Sequence, residues 1–183
     1  GIGCSGKLPH YIKTYGIESI HGRGVAAATG IQLANPRLTV IAVGGDGDGY
    51  GIGLNHFIQA VRRNVNITYI VHDNMVYGLT KGQISPTARK GSIGPSTPHG
   101  SIEPPLNPIA LALSANGTFV ARGFSGKIPH LANLIAEGIK HKGFSLIDVF
   151  QPCISFNHVQ SYEFYMKNTY DLQAENHNTS DLQ

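Results

Sequence analysis

An apolar, β-branched run, Leu38-Thr39-Val40-Ile41-Ala42-Val43, leads directly into Gly44-Gly45-Asp46-Gly47-Asp48-Gly49-Tyr50-Gly51. Glycines let a backbone turn tightly and approach a ligand closely. A helix starting just afterwards would offer N–H groups to an anion, but two carboxylates would repel a bare phosphate. A divalent cation held between carboxylate and phosphate removes the conflict, and magnesium prefers such hard oxygen ligands. The simpler reading is a tight turn whose aspartates face water. A second run, Ile67-Thr68-Tyr69-Ile70-Val71, ends in His72-Asp73-Asn74-Met75-Val76-Tyr77-Gly78, which can bring an amide oxygen to the same cation. The glycine spacing is not that of the nicotinamide fingerprint Gly-x-Gly-x-x-Gly. Two thiols, Cys4 and Cys153, lie 149 residues apart. They are too few for a disulfide scaffold, and the simplest reading is a pair of buried thiols.

The elements that must position these groups alternate. Residues 21–35 carry Val25, Ala28, Ile31 and Leu33 at helical spacing and end at Asn35-Pro36, where proline stops a helix. Leu38–Val43 reads as a strand buried on both faces. Gly51–Arg63 reads as a helix through Ile52, Phe57, Ile58 and Val61, and Ile67–Val71 as a second buried strand. Thr80–Pro105 is polar and rich in Gly and Pro, a long loop of the kind that usually carries function. Beyond it the pattern predicts a helix near Pro108–Asn116, a strand near Thr118–Ala121, a helix near Pro129–Lys142, a strand at Ser145–Phe150 and a short helix within Asn157–Met166. The expected architecture is α/β, a doubly wound parallel sheet with right-handed crossovers. Such sheets bind ligands beyond the carboxyl ends of their strands, which points to the loops after Val43 and Val71.

Composition removes several classes of function. Charged residues are 14% of the 183, well below the usual quarter, and hydrophobic residues 41%, which excludes a disordered acidic chain or a coiled coil. The 23 Gly and 10 Pro are not periodic, so the chain is not collagen-like. A net charge of +3, with no basic cluster larger than Arg62-Arg63, argues against nucleic acid as a partner. No apolar run is long enough for a membrane span. The chain opens on Gly1-Ile2-Gly3-Cys4-Ser5-Gly6 without a charged or apolar leader, so a cytoplasmic location is expected, and a start on a glycine-rich turn reads as a segment cut from something longer.

Gly45-Asp46-Gly47 followed by Asn74, 28 positions after Asp46, resembles the motif that binds magnesium and thiamine diphosphate. With Gly44–Gly51, the stretch from His72 to Gln83, the Gly1–Gly6 turn and His21-Gly22-Arg23, the chain from Gly1 to about His158 resembles the β subunit of the 2-oxoacid:ferredoxin oxidoreductases. The resemblance implies a sheet of the thiamine diphosphate-binding type over residues 1–167, truncated at its N-terminus, with a polar tail over 168–183. It implies that Asp46, the Asn74 side chain and the Val76 carbonyl hold Mg2+. Gly45, Gly47 and Asp48 would shape the diphosphate loop, Tyr77, Gly78, Leu79 and Thr80 would line the path towards the thiazolium ring, and His21 would lie near the cofactor unless it merely caps the following helix. Cys4 and Cys153 would be two of the four thiolates of a [4Fe–4S] cluster, the other pair belonging upstream of Gly1. Oxidative decarboxylation of a 2-oxoacid such as pyruvate or 2-oxoglutarate to an acyl-coenzyme A, with electrons passed to ferredoxin, is the implied activity. The glutamate that activates the cofactor comes from a partner α subunit in this family, so no residue of this chain is assigned that catalytic role. Lys81, Arg89 and Lys90 are candidates to meet a second carboxylate on the substrate, against the simpler reading of solvated loop charges. Two other readings stay open: the thiamine half of a non-oxidative decarboxylase, which has no use for Cys4 and Cys153, and a non-catalytic electron-transfer or nucleotide-binding module, against which the Asp46/Asn74 pair speaks.

Overall fold

The computed structural model of the chain describes residues 1–179. From a 3-10 turn at Cys4–His10 it runs through α1 (Gly24–Ala34), β1 (Ile41–Gly45), a wide turn at Gly47–Ile52, α2 (Leu54–Arg62), β2 (Thr68–Asp73), β3 (Val76–Tyr77), β4 (Gln83–Ile84), α3 (Pro108–Ser114), β5 (Phe119–Phe124), α4 (Ile128–Lys140), β6 (Ser145–Phe150) and α5 (Tyr162–Asn168). The four long strands form one parallel sheet in the order β1-β2-β6-β5, while β3 and β4 make a small antiparallel hairpin.

Alternation along the strands builds a two-sided core. Ala42, Tyr69, Val71 and Leu146 point to one face and pack with Val25 and Ala28 of α1, Phe57 and Val61 of α2 and Ala112 of α3. Ile70, Ile147 and Val149 point to the other, under Leu131 and Ile135 of α4. The doubly wound parallel sheet is therefore as the sequence predicts.

The strand predicted at Leu38–Val43 corresponds to β1 at Ile41–Gly45, and it is not buried on both faces. It is the outer strand of the sheet, α4 covers the side of β2, β5 and β6, and Ile41 remains 42% exposed. Helix α1 starts at Gly24 rather than at residue 21, because Gly22 takes φ +73° and turns the chain. The short C-terminal helix begins at Tyr162, where Ser161 Oγ accepts the Phe164 N–H at 3.2 Å and caps it. After α5 the described residues 171–179 carry only turns; residues 180–183 of the expected tail lie outside the described residues. No helix among the described residues is long and apolar enough to cross a membrane.

The sheet register matters most at one end. Gly45 pairs with His72 across β1 and β2, so the residues that follow, Asp46 on one strand and Asp73-Asn74 on the next, emerge side by side.

Candidate active site

Asp46 follows β1, is 1% exposed and sits among polar donors. Its Oδ2 accepts the Met75 N–H at 3.0 Å, the Thr87 hydroxyl at 2.6 Å and the Ser85 hydroxyl. Burial pushes its carboxyl above the ordinary aspartate range, and the hydroxyls of Ser85 and Thr87 with the N–H groups of Gly47 and Asn74 pull the other way. Among the described residues no lysine or arginine forms an ion pair with it. Among the described residues its oxygens are met by neutral donors alone, the hydroxyls of Ser85 and Thr87 and the Met75 N–H.

The next strand end supplies the remaining oxygens. Met75 takes φ +65°, and this turn lets Asn74 Oδ1 accept the Val76 N–H at 3.1 Å. The hairpin bonds fall on either side of Val76, from Ser85 N–H to Met75 O and from Gly82 N–H to Tyr77 O. In an antiparallel ladder the residue between two bonded ones turns its N–H and C=O outward together. Val76 therefore aims its carbonyl to the side on which its N–H meets Asn74. A carboxylate, an amide oxygen and a main-chain carbonyl form a hard-oxygen set, and these residues fit magnesium held against a diphosphate.

Asp48, two residues beyond Asp46, faces elsewhere. Its Oδ1 accepts the Gly22 N–H at 2.7 Å and lies 3.4 Å from His21 Nδ1. His21 Nδ1 is also 2.8 Å from the Ile2 carbonyl; both neighbours are acceptors, so this nitrogen carries the proton. His21 is thus no helix cap, since Arg23 holds that position without a side-chain bond. It ties the N-terminal segment and the loop of Asp48 together, with its ring centroid 6.0 Å from that of Tyr77.

The glycine loop is narrow because aromatic rings fill it. A Cβ on Gly47 would lie 2.2 Å from Tyr77 Cε1, and Tyr77 Oη donates to Gly47 O at 3.3 Å. Gly53 N–H reaches back five residues to Asp48 O at 3.0 Å, a π-type turn of the kind found at functional sites. The turn swings Tyr50 into the core, where its hydroxyl donates to Asp148 Oδ1 at 2.8 Å. Arg122 Nε donates to Asp148 Oδ2 at 2.8 Å, and its guanidinium lies 4.7 Å from the centre of the Phe150 ring.

Three buried aspartates, 46, 73 and 148, therefore influence one another electrostatically near the carboxyl ends of β1, β2 and β6. Asp73 is pushed well above the usual range by burial and by the charges of Asp46 and Asp148. Its Oδ1 lies 2.8 Å from Thr87 Oγ1. Thr87 Oγ1 also donates to Asp46 Oδ2, so one hydroxyl bridges the two carboxyl groups.

Of the other expected residues, Gly78, Leu79 and Thr80 form the tip of the β3–β4 hairpin. Leu79 is 53% exposed and the Thr80 hydroxyl donates to Gln83 Oε1 at 2.6 Å. Lys81, Arg89 and Lys90 are exposed as well. Cys4 and Cys153 are free thiols, the first exposed and the second partly so, which overturns the reading as buried small hydrophobes. Cys4 Sγ lies against Gly78, where a Cβ would approach it to 3.1 Å. The segment after Cys153 also touches the hairpin and the turn before it: Phe156 packs on Gly82 and Asn157 Nδ2 donates to Asn74 O at 3.0 Å. Ser85 and Thr87 were hidden inside the predicted loop. The Ser-Pro-Thr pattern following a hairpin is the only sequence signal that could have marked them.

A parallel sheet that presents a buried carboxylate and an amide at neighbouring strand ends, beside a glycine turn, defines a cofactor-binding α/β domain of the thiamine diphosphate (thiamine pyrophosphate, TPP) type. The chain belongs to the thiamine pyrophosphate enzymes: residues 1–149 match their C-terminal TPP binding domain. Residues 153–183 match the C-terminal part of the pyruvate ferredoxin oxidoreductase beta subunit. A 2-oxoacid:ferredoxin oxidoreductase subunit beta from a Sulfolobus species is 54% identical over 95% of this chain and 58% of its own length. The 2-oxoglutarate oxidoreductase subunit KorB of Mycobacterium tuberculosis is 48% identical over 86% of this chain and 42% of its own. The chain thus spans about half the length of these relatives. Among solved structures, a 2-oxoglutarate:ferredoxin oxidoreductase from Magnetococcus marinus, with 2-oxoglutarate, coenzyme A and succinyl-CoA bound, superposes with a TM-score of 0.89 at 42% identity, covering 94% of this chain and 62% of that one.

Proposed function

We propose that this chain is the cofactor-holding part of the β subunit of a 2-oxoacid:ferredoxin oxidoreductase. It would bind magnesium and thiamine diphosphate for the oxidative decarboxylation of a 2-oxoacid to an acyl-coenzyme A, with electrons leaving to ferredoxin. The observation that carries the reading is Asp46, buried, without a cationic partner among the described residues, and side by side with Asn74. The relatives' names and the ligands of the superposed structure support the oxidative route.

In this reading Asp46, Asn74 Oδ1 and the Val76 carbonyl would hold the cation, and the Gly45–Gly49 turn would receive the diphosphate whose charge the cation offsets. Bound there, thiamine diphosphate supplies a nucleophilic carbon and an electron sink for the carbon–carbon cleavage. The chain's own part is to fix and desolvate. Tyr77, across Gly47, walls the loop, Asp48 and His21 hold the N-terminal segment against it, and the buried aromatic layer beneath excludes water. Cys4 and Cys153 would provide two thiolates of a [4Fe–4S] cluster, completed by cysteines beyond this chain. The activating glutamate would come from a partner α subunit, so the site is completed at an interface.

The test is an assay of the complete β subunit assembled with its α partner, against a panel of 2-oxoacids with coenzyme A and ferredoxin. Ferredoxin reduction that requires both coenzyme A and Mg2+ is expected, and comparing 2-oxoglutarate with pyruvate sets the substrate. Carbon dioxide release without ferredoxin reduction would establish the non-oxidative decarboxylase instead.

A further inference from the structure

The segment Ser85–Arg89 reads in the sequence as part of a long polar loop, yet its hydroxyls are among the most enclosed in the molecule. Ser85 and Thr87 are 5% and 4% exposed. Both donate to the same carboxylate oxygen, Asp46 Oδ2, across 39 and 41 positions of sequence, and the Met75 N–H joins them there at 3.0 Å. The two hydroxyl oxygens lie 3.1 Å apart.

The segment is itself held at several points. Ser85 N–H bonds Met75 O at 3.2 Å, Leu106 N–H bonds Pro86 O at 2.9 Å and Ala88 N–H bonds Ser85 O at 3.1 Å. Pro86 restricts the backbone between the two hydroxyls. Arg89 then lays its guanidinium 4.8 Å from the centre of the Phe164 ring on α5, so the far end of the segment is anchored to the last helix.

We propose that Ser85 and Thr87 are positioning residues for the cation site: they lock the Asp46 carboxylate by Oδ2 and so present Oδ1 to the metal. The inference rests on the reading of Asp46 as a magnesium ligand. A carboxylate has two equivalent oxygens and turns readily about its last bond. Three donors on one oxygen fix the plane of the carboxylate, and Oδ1 receives none of the three. Partners of this kind that hold a metal-binding carboxylate are commonly worth a factor of roughly 10 to 100 in metal affinity. Ser85 and Thr87 touch neither substrate nor cofactor in this assignment; they act through Asp46.

The experiment is a titration of Mn2+, followed by electron paramagnetic resonance, into the complete β subunit assembled with its α partner in the presence of thiamine diphosphate. Thr87→Val and Ser85→Ala should each weaken Mn2+ binding roughly tenfold or more, and Thr87→Ser, which keeps the hydroxyl, should restore it. Ser85→Ala removes one atom from a small side chain and keeps the test informative if Thr87→Val does not fold. Wild-type Mn2+ affinity in folded Ser85→Ala and Thr87→Val overturns the proposal, as does a Thr87→Ser variant as weak as Thr87→Val. A wild-type complex that binds thiamine diphosphate equally well in the presence of a chelator would instead overturn the assignment of the cation site and the function built on it, so the two failures read differently.

Discussion

The Gly22 N–H donates to Asp48 Oδ1 at 2.7 Å, so the aspartate beside the candidate cation site is spent on fastening a distant turn. Asp46 and Asp48 stand two residues apart and face opposite partners. Their substitution should therefore separate stability from binding. Asp48→Ala removes a buried, charge-assisted bond and should lower the stability of the subunit by about 1–3 kcal/mol. Asp46→Asn keeps an acceptor for Ser85, Thr87 and Met75 and removes a buried charge, so the cofactor-free subunit should melt no lower than wild type. The same variant should lose magnesium-dependent thiamine diphosphate binding, as should Asn74→Ala. Thermal melts without cofactor, set beside calorimetric titrations with it, check the pair. Unchanged cofactor affinity in Asp46→Asn would sink the magnesium assignment.

The pH dependence of the cofactor-free protein has a definite sign. Burial raises the carboxyls of Asp46, Asp73 and Asp148, and for Asp73 the neighbouring charges of Asp46 and Asp148 raise it further. A carboxyl with a raised folded-state pKa binds protons more tightly when folded, so its contribution is fully present below the unfolded value of 3.8 and is lost as pH rises through the folded value. His72, lowered by burial, has the opposite slope below its ordinary value of 6.5. Asp73→Asn isolates the acid component, because the amide still meets Thr87 and the charge is gone. Its melting temperature should fall less steeply than that of the wild type as pH is raised from mildly acidic to neutral. Parallel pH profiles would contradict the buried-charge account.

Gly47 and Tyr77 should be coupled. A Cβ on Gly47 would overlap the Tyr77 ring, at 2.2 Å from Cε1. Gly47→Ala should weaken cofactor binding and stability together. The double variant Gly47→Ala/Tyr77→Leu should lose less than the sum of the two singles, with a coupling of about 0.5–3 kcal/mol in a double-mutant cycle. Strict additivity would show that Gly47 serves some need other than clearance for the ring.

The cysteines lend themselves to a spectroscopic test. In the complete subunit Cys153→Ser should abolish the brown, oxygen-sensitive absorbance of an iron–sulfur cluster while leaving the parallel sheet folded. Retained absorbance would free Cys153 from the assignment.

Much of this architecture was legible because the strands carry their own signal. Thr68–Asp73 and Ser145–Phe150 are apolar runs buried on both sides, and the sequence places them within a residue or two of their observed limits. Asp46 and Asn74 were legible as candidates because each follows an apolar strand-forming run. Leu38–Val43 misled, because an apolar run does not reveal whether a helix will reach its second face. Ser85, Thr87 and the direction of Asp48 were hidden because each is decided by a partner 26 or more positions away. A polar Gly/Pro-rich stretch looks alike whether its hydroxyls meet water or a buried carboxylate. His21 was ambiguous until the turn at Gly22 fixed which way its ring could face.

The uncovered side of β1 bears on how this polypeptide behaves in solution. As the outermost strand it pairs with β2 on one side only; on the other the Gly1 amino group donates to Val43 O at 2.7 Å, and Ile41 at 42% and Leu38 at 45% exposure lie close by. An apolar strand edge that its own chain covers only in part recruits other strands, including those of identical copies. Produced by itself, this stretch should self-associate in a concentration-dependent way, seen as growth in light scattering, and a lysine at position 41 should suppress it. In a larger assembly the same edge is a natural place for neighbouring chain to lie, turning a liability for colloidal stability into an address for association.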